Sequence, residues 1–360
     1  MQTRDLSDCR EYVPGKGADE VARARGIDPA DLIALASNEN ALGPSPAAVD
    51  AVQGAIADMH RYPKGVHTAL VEQLADVWNV SADQIWLANG GDGALDYLSR
   101  AMLDPGDVVL VPDPGFAYYG MSARYHHGQV ETYPLTRDTE FSIATDDLTS
   151  RTQEPRIIYV TSPHNPTGAT LTHAEINQIA DDTSENSLVV IDEAYGAFAE
   201  TPSAIDLVQE RDDVAVLRSF SKSYGLAGVR LGYAVVPEAW AAAYRKVNTP
   251  FAASELACRA GRAALDDETH LTNTVNLVTA GRDRLREELD AHTWPSEGNF
   301  VLVSVGDGTA VAERLLDRGI LIRDCTSFGL PDCIRITVGT EREMNETIAA
   351  VNAIVGDGGT

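Results

Sequence analysis

The sequence predicts an α/β protein with a large domain built on a mostly parallel sheet flanked by helices. A smaller α+β domain is expected from the C-terminal part together with the N-terminal segment. Three observations carry this expectation. Strand-like and helix-like patterns alternate through the middle of the 360-residue chain. The strands there are runs of Val, Ile and Leu without polar alternation, as in strands buried on both faces. In the last hundred or so residues the pattern changes to short strands interleaved with amphipathic helices.

Taken in order, the first forty residues carry turn signals in "YVPGKG" and "ENALGPSP" and are expected to cross the molecule and join the C-terminal unit. "QIWLANG" reads as a strand and "GDGALDYLSRAML" as the helix that follows. "DVVLVPDP" is a strand after the turn at Asp104-Pro105-Gly106-Asp107, and "RIIYVTSP" is another. "THAEINQIADDT" is a helix opened by a capping box, Thr172 with Glu175. "SLVVIDEAY", "VAVLRSF" and "VRLGYAVV" are strands. Beyond them, "GNFVLVSV", "ILIRD" and "CIRITVGT" are strands, and "GTAVAERLLDRG" and "EREMNETIAAVNAIV" are helices. These breaks place an N-terminal segment at 1–44, a large domain at 45–251 and a small domain at 252–360.

Charge narrows the partners. The chain carries 28 Lys and Arg against 54 Asp and Glu, a formal net charge of -26. Such a surface repels nucleic acid and anionic membranes, so neither is an expected partner. Only four of the basic residues are lysines. An Asp-rich, Lys-poor surface resembles that of proteins from salt-loving organisms, where dense carboxylates hold water and salt screens their repulsion. The melting temperature is therefore expected to rise with added KCl; a flat or falling response would remove this reading. Four scattered cysteines without a C-x-x-C pair indicate reduced thiols in a cytoplasmic protein. No histidine spacing suits a metal, and the adjacent His126 and His127 point apart on any regular element. No apolar run approaches the roughly 20 residues that a membrane helix needs.

Ligands of open parallel sheets gather at the C-terminal ends of the strands, and four unusual stretches fall there. The first is "SFSKSYGLAGVR", Ser219 to Arg230. Of the four lysines, Lys16 and Lys64 sit in turn-like segments and Lys246 in a surface helical pattern. Lys222 alone follows a buried strand, between the hydroxyls of Ser219 and Ser221, with Arg230 downstream. That set suits a bound phosphate beside a reactive amine. The second is Asp192, which ends an apolar strand and must find a partner if buried; Tyr195 lies three residues on. The third is "SPHNPTG", where Pro163 and Pro166 stiffen the backbone around Asn165. The fourth is "NGGDGALDYL", where Gly91 and Asp92 open a helix whose free N–H groups form a ready anion site. Taken singly, each stretch also reads as an ordinary turn or strand end.

One cofactor uses all four, namely pyridoxal 5'-phosphate. Its phosphate would rest on Gly91, Asp92, Ser219, Ser221 and Arg230, and Lys222 would condense with its aldehyde. Asp192 would keep the ring nitrogen protonated, and Asn165 and Tyr195 would bind the ring oxygen. Phe116 in "DPGFAYYG" would stack on the ring.

"SPHNPTG", "VVIDEAY" and "SFSKSYGLAGVRLGY", in that order, resemble the fold-type I pyridoxal-phosphate aminotransferases of class I/II. More narrowly, "YVPGK", "ASNENALGPSP", "RYP", "GILIRD" and "FGLPDCIRITVGT" resemble the histidinol-phosphate aminotransferases, and the likeness spans nearly the whole chain. The resemblance implies a homodimer with shared active sites, acting in histidine biosynthesis on histidinol phosphate and 2-oxoglutarate. It implies that Arg335 binds the α-carboxylate of glutamate and that Arg323, with Tyr12, grips the distal anion. It also implies that Tyr62 reaches the neighbouring subunit's cofactor phosphate. Gly93 departs from the pattern, since many relatives carry an acidic residue there. Threonine-phosphate decarboxylases and broad aromatic or aspartate-type aminotransferases share these motifs. A regulator built on the same fold would need an added DNA-binding domain, for which the chain has neither the length nor a basic patch.

Overall fold

The computed structural model describes residues 6, 7, 9, 11, 12, 17–63, 67–145, 148 and 154–357. Two sheets organise them. The larger has seven strands: β2 (Ile85–Ala88), β3 (Val108–Asp113), β4 (Gln129–Pro134), β5 (Ile157–Thr161), β6 (Leu188–Asp192), β7 (Val214–Ser219) and β8 (Gly232–Val235). Their order is β2-β8-β7-β6-β5-β3-β4, and β8 runs antiparallel to both its neighbours while the strands from β7 to β4 pair in parallel. Every residue of β2, β5, β6 and β8 is buried, which is why these strands read as unbroken apolar runs. The exception is β4, an edge strand whose residues are mostly exposed and whose "QVETYP" carries no strand signal of that kind.

The smaller sheet has the order β1-β11-β12-β10-β9, with β1 (Ile33–Leu35), β9 (His292–Thr293), β10 (Phe300–Ser304), β11 (Ile320–Asp324) and β12 (Cys333–Thr337). Here β1 pairs in parallel with β11, so the N-terminal segment does join the C-terminal unit as its sequence suggested. The helix His173–Asp181 opens on the expected capping box, with Thr172 accepting from the Glu175 N–H and Glu175 accepting from Thr172 N–H at 2.7 Å. All four cysteines are unpaired, and no helix among the described residues is long and apolar enough to cross a membrane. No cluster of His, Cys, Asp and Glu among the described residues could hold a metal ion.

Candidate active site

The C-terminal ends of β2, β3, β5, β6 and β7 converge on one cavity of about 230 Å³. Its lining includes Gly91, Asp92, Phe116, Asn165, Asp192, Tyr195, Ser219, Ser221, Lys222 and Arg230, all from the large-sheet side, and Tyr12 from the N-terminal segment. Eleven of the fourteen residues singled out in the sequence thus share one space. Arg335 lies just behind the lining, donating from Nη1 to Asn165 Oδ1. Arg323 donates from Nη2 to Ser327 Oγ at 3.0 Å, its guanidinium over the Phe328 ring, and Tyr62 faces outward at 83% exposure. Among the other lysines, Lys246 lies on the helix Ala241–Val247, and Lys16 and Lys64 fall outside the described residues.

One end of the cavity is built for an anion. The 13-residue helix Gly90–Met102 starts here, so its unpaired N–H groups and positive dipole end face the space. Gly90 has a φ of 77°, and a Cβ there would lie 2.5 Å from Arg230 Nη2, so only glycine lets the arginine approach the helix end. Arg230 Nη2 pairs with Asp92 Oδ2 at 3.0 Å. Ser219 Oγ accepts from the Ser221 N–H at 3.0 Å, which folds the chain after β7 so that both hydroxyls and Lys222 meet the cavity.

At the other end Asp192 is 6% exposed at the tip of β6. Burial pushes its carboxyl up to about 6, partly countered by the hydrogen bonds it accepts. These come from Tyr119 Oη at 2.6 Å and the Ala194 N–H at 2.9 Å. Sequence reading missed Tyr119, which sits one helical turn after Phe116 and is fully buried; its hydroxyl also lies 2.8 Å from Thr161 Oγ1. The general signal was available, since a buried carboxylate needs a donor. Nothing in "FAYYG" chooses between Tyr118 and Tyr119, and Tyr118 donates instead to Asp96.

The loop from Ser162 to Gly168 is held by its own histidine. His164 accepts or donates at both ring nitrogens, to Thr167 Oγ1 at 2.9 Å and the Pro114 carbonyl at 3.0 Å. Its burial pushes the imidazole down to about 4, so it is neutral at pH 7 and belongs to the loop's framework. Gly168 has a φ of 88°, and a Cβ there would lie 2.1 Å from Ser296 Oγ, so only glycine fits at the end of the loop that carries the cavity-lining Asn165.

Lys222 lines the same cavity. Its Nζ donates to the Ser37 carbonyl at 3.2 Å and sits 5.7 Å from the Tyr195 ring centre. Phe116 packs edge-on against Tyr119 at 5.5 Å and against Tyr12 at 6.3 Å, and it lines the cavity with the lysine. An amine, an anion cradle and a buried acid in one cavity suit a phosphorylated aromatic cation with a carbonyl carbon reactive toward the amine.

Comparisons with known proteins agree with this chemistry. Residues 30–351 match the family model described as aminotransferase class I and II. A histidinol-phosphate aminotransferase of Halorubrum lacusprofundi is 58% identical over 357 residues, covering 99% of this chain and 98% of that protein. That of Haloarcula marismortui is 56% identical over 355 residues, covering 99% of each. Among solved structures, the Sinorhizobium meliloti histidinol-phosphate aminotransferase in complex with pyridoxal-5'-phosphate superimposes with a TM-score of 0.89 at 27% identity, covering 99% of this chain and 98% of that one. The chain belongs to the class I and II aminotransferases and, within them, to the histidinol-phosphate aminotransferase family.

Proposed function

We propose that this chain transfers the amino group of L-histidinol phosphate to 2-oxoglutarate with pyridoxal 5'-phosphate, giving imidazole-acetol phosphate and glutamate in histidine biosynthesis. The observation that carries this reading is that Lys222 lines one cavity together with Asp192 and with Gly91, Asp92 and Arg230 of the helix-end cradle. Two features of the protein fit the cofactor and its substrates. Among the described residues Asp192 accepts from neutral donors and has no cation as hydrogen-bond partner, and a protonated ring nitrogen would supply one. Arg335 is 5% exposed and its Nε is buried without an acceptor, although Nη1 and Nη2 are engaged.

When bound, the cofactor supplies an electron sink that takes up and returns the amino group. The protein does the rest. The Gly90–Met102 helix end, Ser219, Ser221 and Arg230 anchor the phosphate, and Phe116 covers one ring face. Asp192 holds a proton on the ring nitrogen, and its own hydrogen bond from Tyr119 keeps the carboxylate oriented. Asn165 and Tyr195 donate to the ring oxygen. Lys222 Nζ removes the proton from the substrate's α-carbon as general base and would deliver it, as general acid, to the cofactor's C4′ carbon. The walls around it, Leu95, Leu217 and Phe116, limit water at that carbon.

Arg335 serves the dicarboxylate half of the cycle, since histidinol phosphate has no α-carboxylate, and Arg323 with Tyr12 serves the distal anion. Arg335→Lys loses the planar fork and its grip on Asn165. It is expected to raise KM for 2-oxoglutarate by roughly ten- to a hundredfold, with a much smaller change in KM for histidinol phosphate. Equal changes in both would contradict the assignment.

The active form is a homodimer in this reading. Tyr62 stacks on Phe251 at 5.1 Å, and both are exposed on the single chain, as are Ile56 and Met59 of the same segment. A partner subunit would cover this apolar strip and receive Tyr62 at its phosphate cradle. The enzyme is placed in the cytoplasm, where its unpaired thiols stay reduced.

A further inference from the structure

Three consecutive residues after β1 touch three of the proposed functional side chains. Arg335 Nη2 donates to the Ala36 carbonyl at 2.7 Å, Lys222 Nζ to the Ser37 carbonyl at 3.2 Å, and Asn38 Nδ2 to the Tyr195 hydroxyl at 3.0 Å. The first two contacts are made by backbone and would survive most substitutions. The third depends on one side chain. Asn38 is 1% exposed and has a φ of 54°, a left-handed conformation that Asn, Asp and Gly adopt most readily.

The orientation of the Asn38 amide follows from its neighbours. The Asn38 backbone N–H donates to Thr337 Oγ1 at 3.1 Å, and that hydroxyl gives its own proton to Asn38 Oδ1 at 3.0 Å. The amide oxygen therefore faces Thr337, and the NH₂ group is turned to Tyr195. A phenol oxygen that accepts a proton along this line directs its own O–H elsewhere. Tyr195 lines the cavity, so its proton would be offered to a ligand bound there. Without the amide, the hydroxyl could instead donate to a neighbouring acceptor, and the site would lose a fixed donor.

We propose that Asn38 is a positioning residue that turns the Tyr195 proton into the cavity, making Tyr195 a fixed hydrogen-bond donor to the cofactor's ring oxygen. This rests on the role given to Tyr195 above. It also ties that role to the small sheet, because Thr337 lies two residues beyond Arg335 on β12. The strand that carries the carboxylate-binding arginine thereby also sets the hydrogen-bond direction at the ring.

Asn38→Asp tests the idea, because it keeps the shape, the left-handed backbone and the acceptor for Thr337. It replaces the donor to Tyr195 with an acceptor, which draws the Tyr195 proton out of the cavity. The holoenzymes to compare are wild type, Asn38→Asp, Tyr195→Phe and the double variant. The readouts are the cofactor's visible absorption band, its dissociation constant and kcat/KM. Asn38→Asp is expected to displace the band in the same direction as Tyr195→Phe and to weaken cofactor binding by roughly tenfold. In the Tyr195→Phe background it should add almost nothing, since the two act on one interaction. Full additivity, or a wild-type band in Asn38→Asp, would overturn the inference. A Tyr195→Phe enzyme identical to wild type would instead overturn the role of Tyr195. Asn38→Gly, which keeps the backbone and deletes the amide, must show the same coupling should the aspartate variant not fold.

Discussion

Replacing Lys222 with alanine is expected to lower transamination by a thousandfold or more while leaving the fold intact. Among the described residues, Lys222 is the one amine in the cavity lining, which makes it the proposed base at the substrate's α-carbon. Of the carboxylates in that lining, Asp92 is paired with Arg230 and Asp192 accepts from Tyr119 Oη. General acid–base catalysis alone contributes roughly 10² to 10⁴ in rate, and in the proposed reaction the same amine would also anchor the cofactor. The structural cost is small, because Lys222 is half-buried and makes one long hydrogen bond to a backbone carbonyl. Added ethylamine should restore part of the rate by standing in for the missing amine. A Lys222→Ala enzyme within tenfold of wild type would show that the base lies elsewhere.

Asp192→Asn is expected to act in opposite directions on catalysis and on apoenzyme stability. An amide does not hold the ring nitrogen's proton electrostatically, so kcat should fall by roughly 10² to 10³, the scale of losing a preorganised charge. The stability effect follows from linkage. The folded chain holds the Asp192 proton up to about pH 6, above the ordinary carboxylate range, because burial opposes the charge. Between pH 4 and 6 the folded state therefore binds more protons than the unfolded state, and stability falls as pH rises through that window. Above it the charged carboxylate destabilises the apo fold, by at most about 3 kcal/mol for two units at 1.36 kcal/mol each. The neutral amide removes this penalty, and Tyr119 can accept from it as readily as it donates to the acid. Apo Asp192→Asn should thus be the more stable form at pH 8 and show no advantage at pH 4, as denaturant titrations would reveal. An apo variant less stable than wild type at pH 8 would mean that the carboxylate already has a cationic partner in the protein.

Both residues were legible in the sequence because each breaks a local rule. Lys222 is one of four lysines in a chain of 54 acids, set at the end of an apolar strand, and Asp192 is a charge ending a run of "LVVI". Residues that break no rule stayed hidden. Tyr119 belongs to a cluster of aromatics that could all be core, and Asn38 sits in "ASNEN", where the turn reading explains the asparagine without any partner. The roles proposed for them rest on contacts 73 and 157 positions away in the chain, at Asp192 and Tyr195 respectively. The fold divides the same way. Strands buried on both faces announce themselves through their apolar runs, whereas the exposed edge strand β4 and the three-residue β1 are defined by their neighbours' hydrogen bonds.

The claim that most needs testing is that the cavity transaminates histidinol phosphate. The direct measurement mixes purified holoenzyme, in molar KCl and without any oxo acid, with histidinol phosphate and follows the cofactor's visible absorption. A single turnover that converts the lysine-bound form to the pyridoxamine form, reversed by adding 2-oxoglutarate, is the result this account predicts. An unchanged spectrum with histidinol phosphate, together with carbon dioxide released from threonine phosphate, would contradict it and assign the same lysine to a decarboxylase.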